Sequence, residues 1–426
     1  MSASVHQTEE LLFFILVQLI VMIGAARLLN WIFRTMKQPG VIGEIVAGLV
    51  LGPSLFGHFF PEASGAIFGA KAAQPITIIS QIGLCLLMFQ IGADFDFGHL
   101  KTRRNQQSVL LIGASSVLVP LILGLFVGWQ SAASLAPNTD PVIYSLFCGV
   151  ALAITAVPVL GRILREFGLT RAEVGVVAIS AAAINDVVGW ILLAGVSAYA
   201  VAQFSLFHMG IQVGGLLLFL LALWFVLRPF VDHLLRFFPT DEAGVPANLM
   251  AIVFCLIFAM GIATFKLGIF TIFGGFAAGL LFHRHPAFVA AWQKQVGQFV
   301  VVFFLPVFFT FTGLRTNVLG LTTSVEMGWL AVILACAILG KIVPVYLAAR
   351  FSGAPPEDAS IFGVLMNTRG LMELIVLNIG YDLGFIPQSV FTMLVLMAVI
   401  TTVMTGPLLK LLMGRAGYSV PKGVEA

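Results

Sequence analysis

Apolar residues fill this chain in long continuous runs rather than at the spacing of a surface helix or strand. Runs of about 20 apolar residues, at about 1.5 Å of rise each, match the hydrocarbon thickness of a bilayer. Thirteen spanning helices are predicted on this basis. The first seven are Leu11 to Phe33, Pro39 to Gly57, Pro75 to Ala93, Gln107 to Trp129, Val142 to Leu164, Val174 to Ala202 and Phe207 to Phe230. The remaining six are Pro246 to Phe265, Phe270 to Phe282, Val296 to Leu314, Met327 to Ala349, Ala359 to Tyr381 and Pro387 to Met413.

Loop charge provides an independent check on this count. Alternate loops, beginning after the first span, hold Arg34, Lys37, Lys101, Arg103, Arg104, Arg162, Arg165, Arg171, Arg228, Arg236, Arg284, Lys294 and Arg350. The C-terminus adds Lys410, Arg415 and Lys422, while the opposite loops hold Lys71, Lys266 and Arg315. The positive-inside rule then places the C-terminus in the cytoplasm and the N-terminus outside. The N-terminal MSASVHQTEE lacks a basic region, so the first run is expected to span rather than to be cleaved as a signal.

The order of the spans contains a repeat. GEIVAGLVL (Gly43 to Leu51) in span two matches GGFAAGLLF (Gly274 to Phe282) in span nine. FQIG (Phe89 to Gly92) ends span three, and FTG (Phe311 to Gly313) ends span ten. Spans one to six and eight to thirteen are therefore two halves, with span seven as a linker crossing that inverts the second half. Inverted-topology repeats point to secondary transporters, and paired interruptions in corresponding spans point to their midplane site. The fifth span of each half carries such an interruption: Thr155-Ala156-Val157-Pro158 in one and Asn367-Thr368-Arg369-Gly370 in the other. Pro158 removes a backbone donor, which frees a carbonyl about one turn back. The predicted fold is an all-α polytopic membrane protein of two inverted six-helix repeats with two broken, crossing helices.

Composition narrows the function. The 426 residues are 60% hydrophobic and 10% charged, with mean hydropathy +1.05, whereas about a quarter of residues in soluble domains are charged. The net charge of +3 is spread over loops and gives no nucleic-acid surface. Cys85, Cys148, Cys255 and Cys336 lie scattered in apolar runs without metal spacing, and the histidines lie at or beyond the ends of the runs. No nucleophile–base constellation, phosphate loop or bound cofactor is expected, so the protein is not read as an enzyme. His283-Arg284-His285, at the end of span nine, reads as a solvated cluster rather than a pH sensor.

Few ionisable residues fall within the spans. Asp186 is central in span six, and a carboxylate there costs about 2.5–3.5 kcal/mol on insertion scales, which makes it a functional candidate. Asn185 beside it supplies an amide oxygen or orients the carboxylate. Lys341 lies near the middle of span eleven and is expected to face Asp186 across a polar cavity. Arg369 and Glu373 stand at i and i+4, on one helix face, where they form an ion pair or act directly. Glu44, in the first turn of span two, reads as interfacial. A deprotonated Asp186 would bind a partly dehydrated monovalent cation with oxygens from Asn185 and Thr155, and protonation would expel it. Competition of the two ligands for one carboxylate then couples their fluxes.

Four stretches carry a family likeness: GEIVAGLVLGPSLFG (Gly43 to Gly57), TAVPVLGRILREFGLT (Thr155 to Thr170), ISAAAINDVVGWILLA (Ile179 to Ala194) and NTRGLMELIVLNIG (Asn367 to Gly380). The chain resembles the second branch of the monovalent cation:proton antiporter superfamily, in the group of plant cation/H+ exchangers and their fungal and bacterial relatives. The resemblance implies a homodimer in the bacterial inner membrane. It implies a dimerisation and gating scaffold over residues 11–100 and 246–318, an ion-translocating core over 105–203 and 327–413, and a linker helix over 207–230. Asp186 falls on the family's ion-binding aspartate, Asn185 on the position of a second aspartate in electrogenic members, and Lys341 on the core lysine. Two departures stand out. Ala156 replaces the aspartate of a Thr-Asp-Pro break, and no cytosolic regulatory tail is expected after Met413. The expected function is exchange of K+ or Na+ for H+ by alternating access, the alternative being a sodium-coupled organic-solute symporter.

Overall fold

The computed structural model describes residues 3–36, 38, 40–69, 73–94, 106–169, 172–201, 206–239, 244–267 and 270–418. Lys37, Lys71, Lys101, Arg103, Arg104, Arg171 and Lys422 of the loop-charge pattern lie outside the described residues, as do Pro39, Ala202 and the segment limits at 100, 105 and 203. Among the described residues every regular element is helical.

In chain order the helices are α1 (Ala3–Thr35), α2 (Gly40–Leu51), α3 (Phe56–Phe59), α4 (Pro61–Phe68), α5 (Ala73–Ala93), α6 (Gln106–Leu135), α7 (Pro141–Ala153), α8 (Val157–Glu166), α9 (Glu173–Val201) and α10 (Leu206–Ala222). They continue as α11 (Arg228–Phe237), α12 (Ala247–Lys266), α13 (Thr271–Phe282), α14 (Pro286–Trp292), α15 (Leu305–Leu314), α16 (Ser324–Phe351), α17 (Pro356–Met366), α18 (Leu371–Asp382) and α19 (Gln388–Ala416). Among the described residues, 11 helical stretches are long and apolar enough to cross a membrane, and Pro141–Ala153 and Thr271–Phe282 are shorter apolar helices. The protein is an all-α, multi-pass membrane protein.

The structure also contains helices that hydropathy did not separate. α3 and α4 follow the turn at the end of α2, and α14 begins with Pro286 in its first turn, where a missing N–H is harmless. π-helical turns at Leu223–Leu227, Gln293–Gly297 and Val300–Phe304 join α10 to α11 and α14 to α15.

The chain divides into two compact units, the first comprising Met1–Ile23, Gly65–Asp96 and Ala194–Phe311. Within it α13 packs against α5 and α12. A β-carbon on Gly279 would collide with the Phe89 carbonyl, and one on Gly275 with the Cys85 carbonyl, so the α5 and α13 backbones touch directly.

The second unit comprises Gly24–Ser64, Phe97–Leu193 and Thr312–Ala426. Here a β-carbon on Gly313 would strike the backbone of Gly48. The matched motifs of the two halves are thus used crosswise. Span nine meets span three in the first unit, and span two meets span ten in the second. In α6, Val109, Ile112, Ser116, Pro120, Gly124, Val127 and Ser131 form a buried stripe, while Leu118, Ile122, Phe126 and Trp129 are exposed. Gly124 and Gly128 let α7 approach, since a β-carbon at either would lie 2.6 Å from the Cys148 carbonyl oxygen or the Ser145 Cα. α8 buries Val159, Leu160, Ile163 and Leu164 in one apolar cluster with Ala178 and Ala182 of α9, Val345 of α16 and Leu365 of α17.

The interfacial reading of Glu44 is corrected. Its side chain is 2% exposed, accepts a hydrogen bond from Asn30 Nδ2 at 2.6 Å, and lies 3.9 Å from the Arg27 guanidinium. The reason is steric: Gly40 and Gly43 bring the start of α2 onto the backbone and side chain of Leu29 and Asn30, which carries Glu44 inside.

Candidate functional site: the crossing of two broken helices

Both predicted interruptions are breaks. α7 ends at Ala153, Ile154 is extended (φ −71°, ψ 143°), and α8 starts at Val157. Pro158 therefore stands in the first turn of the resumed helix rather than inside a continuous one; its side chain lies outside the described residues. α17 ends at Met366 and α18 starts at Leu371. The two breaks bond to each other: Ala156 N–H donates to the Thr368 carbonyl at 3.1 Å, and Thr155 Oγ1 donates to the Met366 carbonyl at 3.0 Å.

Each break is pinned by the last helix of its own half. Asn185 of α9 accepts from Thr155 N–H through Oδ1 at 2.9 Å, and its Nδ2 donates to Ser116 Oγ at 3.0 Å and to the Ala153 carbonyl at 3.1 Å. Thr402 of α19 accepts from Arg369 N–H at 3.1 Å and donates to the Arg369 carbonyl at 2.8 Å.

A helix leaves its last four carbonyls without intrahelical partners. In α7 all four are accounted for. The Val150 carbonyl accepts from Ile154 N–H. Arg369 donates from Nη1 to Ala151 and from Nη2 to Leu152, both at 2.8 Å. Lys341 Nζ donates to Ala153 at 2.6 Å and to Thr155 Oγ1 at 2.6 Å. Two cations from the second half therefore cap the negative end of a helix of the first half, an arrangement worth up to about 2 kcal/mol each when buried. Arg369 also meets Glu373 Oε2 at 3.2 Å, with both side chains fully buried.

Asp186 stands apart from this network. It is 3% exposed and its Oδ1 has no hydrogen-bond partner. Lys341 is near enough for its charge to act on Asp186, but its hydrogen bonds go to Ala153 and Thr155. Asn367 Oδ1, Thr368 Oγ1, Arg369 Nε and Glu373 Oε1 are likewise buried and unpartnered; others lie elsewhere, on Gln38, Gln90 and Trp292 among them. Buried polar atoms in native proteins are normally paired, and each exception calls for an explanation.

The structure thus brings Thr155, Asn185, Lys341, Arg369 and Glu373 into one crossing, with Arg369 and Glu373 as the expected ion pair and the other three in different roles. The oxygens of Thr155 and Asn185 already hold the breaks, and Lys341 grips a helix end rather than a carboxylate. Ser116 and Thr402 belong to the crossing and were not singled out in the sequence. Their signal was faint: each is a polar residue in an apolar span of the same half as the break it supports. Gly370 has φ +154°, and a β-carbon there would meet Val159 Cγ2 at 2.9 Å. Gly370→Ala is therefore expected to lower stability by about 1–3 kcal/mol, read as a lower midpoint of thermal unfolding in detergent, with Gly384→Ala, whose β-carbon meets nothing, as the comparison for positive φ alone.

Comparison with known proteins places this geometry. The chain is 35% identical over 400 residues to a Na+/H+ antiporter of Synechocystis sp., covering 93% of this chain and 96% of the relative. It is 34% identical over 419 residues to cation/H+ antiporter 17 of Arabidopsis thaliana, covering 97% of this chain and 50% of the relative. It is 30% identical over 392 residues to the K+/H+ antiporter 1 of Saccharomyces cerevisiae, covering 89% of this chain and 44% of the relative. The chain thus spans about half the length of the plant and yeast proteins. Its fold is similar to the sodium proton antiporter of Methanocaldococcus jannaschii, with TM-score 0.58 at 18% identity, over 95% of this chain and all of the other. A family profile described as sodium/hydrogen exchanger, transmembrane, matches residues 19–414, and the chain belongs to that family.

Proposed function

We propose that the protein is a secondary active antiporter that exchanges a monovalent cation, K+ or Na+, for H+, with both ligands competing for Asp186. The observation that carries this reading is the buried carboxylate oxygen of Asp186, left unpartnered beside a first break whose Thr155 and Asn185 oxygens are engaged. A dehydrated cation or a proton satisfies that oxygen, and only one of them at a time. The relatives named for Na+/H+ and for K+/H+ exchange support the class and leave both cations as substrates. The symporter alternative finds no support among them.

Asn185 in place of a second carboxylate leaves one titrating acid at the dipeptide, so the exchange carries one proton per cation. Since the Asn185 and Thr155 oxygens hold the breaks, the cation's further ligands are the free atoms at the crossing, Thr368 Oγ1 and Asn367 Oδ1 among them. In this reading residues 105–203 and 327–413 move as the translocating core against a scaffold of 11–100 and 246–318, joined by the 207–230 linker, in a homodimer of the cell membrane. The protein works without a bound cofactor and performs no covalent step.

The test is proton flux in proteoliposomes, followed with a pH-sensitive dye, as Li+, Na+, K+ and Rb+ are added in turn across neutral and alkaline pH. Cation-dependent proton movement is the expected result, and its ranking names the substrate. No movement with any cation overturns the exchange. A reversal potential that requires two protons per cation overturns the one-proton version alone.

A further inference from the structure

In the first unit a cavity of about 300 Å3 is lined by Arg228, Asp232, Leu235, Arg236, Arg284 and His285. Three guanidinium groups converge on it against one carboxylate. That carboxylate is already engaged, because Asp232 Oδ1 meets His285 Nε2 at 2.8 Å. Among the described residues Arg236 has no carboxylate partner, and Arg284 donates a hydrogen bond from Nε to the neighbouring His283 Nε2 at 3.4 Å. Among the described residues the lining therefore carries more positive than negative charge. Planar guanidinium forks lining one cavity suit the oxygens of a phosphate better than isolated halide ions.

The surroundings identify where the phosphate comes from. α10 and the π turn Leu223–Leu227 lead to the cavity with a run of exposed apolar side chains: Leu217, Leu218, Leu221, Phe225 and Val226. Trp224 is 55% exposed, and the Arg228 guanidinium lies over its ring at 4.3 Å. An exposed tryptophan under an arginine at the end of an apolar helix marks the membrane–water interface. The loop charges assign this end of the helices to the cytoplasmic leaflet, where anionic lipids reside.

We propose that this cavity binds the phosphate of an anionic phospholipid, whose headgroup meets Arg228, Arg236 and Arg284 while its acyl chains lie along the exposed face of α10. The hydrogen-bonded Asp232–His285 pair closes the wall and leaves the arginines to the ligand. This site is independent of the Asp186 chemistry.

The experiment is native mass spectrometry of the delipidated protein with equimolar phosphatidylglycerol and phosphatidylcholine. The wild type is expected to retain phosphatidylglycerol preferentially. Arg236→Gln with Arg284→Gln is expected to reduce that preference roughly 30-fold, at about fivefold for each arginine near a charged membrane surface. Arg34→Gln with Arg415→Gln removes the same charge elsewhere and is expected to leave the preference intact. An equal loss in that control, or an unchanged preference in the cavity variant, overturns the proposal. If the double variant does not fold, Arg236→Gln alone, at an exposed residue, still has to show its fivefold loss. A third arm adds glycerol 3-phosphate and inorganic phosphate without lipid. Binding of either as tight as the lipid's overturns the lipid as the occupant and assigns the cavity to a soluble phosphate compound.

Discussion

Asp186→Asn is expected to abolish cation-dependent proton movement, to the level of protein-free vesicles, while the protein folds and purifies normally. The two halves of that expectation follow from one observation. Asp186 Oδ1 makes no hydrogen bond, so none is broken there, and Lys341, which loses a nearby charge, keeps its hydrogen bonds to Ala153 and Thr155. Replacing an unpartnered buried carboxylate by an amide is neutral or stabilising, by about 1 kcal/mol, because the desolvation cost of the charge disappears. Coupled flux, by contrast, requires a group that accepts either ligand and carries charge for one of them. An amide accepts no proton at neutral pH and offers a cation no charge. The measurement pairs dye-reported flux with thermal unfolding of the same preparation. Full activity in the variant would leave exchange standing and move the site, with Glu373 as the next residue to replace. Loss of activity with a lowered unfolding midpoint would show that Asp186 is a structural partner instead.

Arg369→Met is expected to have the largest effect on stability, about 3–5 kcal/mol. The guanidinium satisfies two terminal carbonyls of α7 and is the ion partner of Glu373, all in a fully buried setting. Its removal leaves a buried carboxylate without its cation and two carbonyls without donors. Arg369→Met combined with Glu373→Gln is expected to recover part of the loss, since the uncompensated charge goes while the bare carbonyls remain. Unfolding midpoints of the four proteins in the cycle give the coupling. A coupling near zero would mean that the ion pair contributes nothing and that the carbonyl caps account for the whole effect. An unaltered Arg369→Met protein would overturn the capping role.

The sequence revealed most about features made of side-chain hydropathy and least about features made of backbone. Apolar runs located the helices because in lipid a single segment satisfies its own backbone only as a helix. The breaks were legible because Pro158 and Gly370 are residues that interrupt helices, and each stands at the start of a resumed helix. Lys341 shows where the reading stopped. A lone lysine and a lone aspartate in apolar spans look like partners, because a sequence displays no carbonyls. In the structure the open end of α7 competes for the ammonium and holds it. The same blindness hid Thr402, whose partner is the backbone of Arg369. The glycines of GEIVAGLVL and GGFAAGLLF announced a repeat, yet their use in crosswise backbone contacts with Gly313 and Phe89 depends on which helices are neighbours. Glu44 was misplaced for a related reason, since depth along a span does not reveal that Gly40 and Gly43 press its helix inward.

The capping of α7 also has a consequence for how the chain is made. Ala151 and Arg369 are 218 residues apart, and Lys341 is 188 residues from the Ala153 carbonyl it holds. At about 5–20 residues per second, the ribosome needs roughly 10–40 s to deliver Arg369 after the end of α7 has left it. During that interval the first half sits in the bilayer with its fifth crossing unfinished. The carbonyls that later bind Arg369 and Lys341 must be met by water, lipid headgroups or insertion machinery. A chain that ends before residue 341 therefore keeps the first break but lacks both side chains that cap the end of α7.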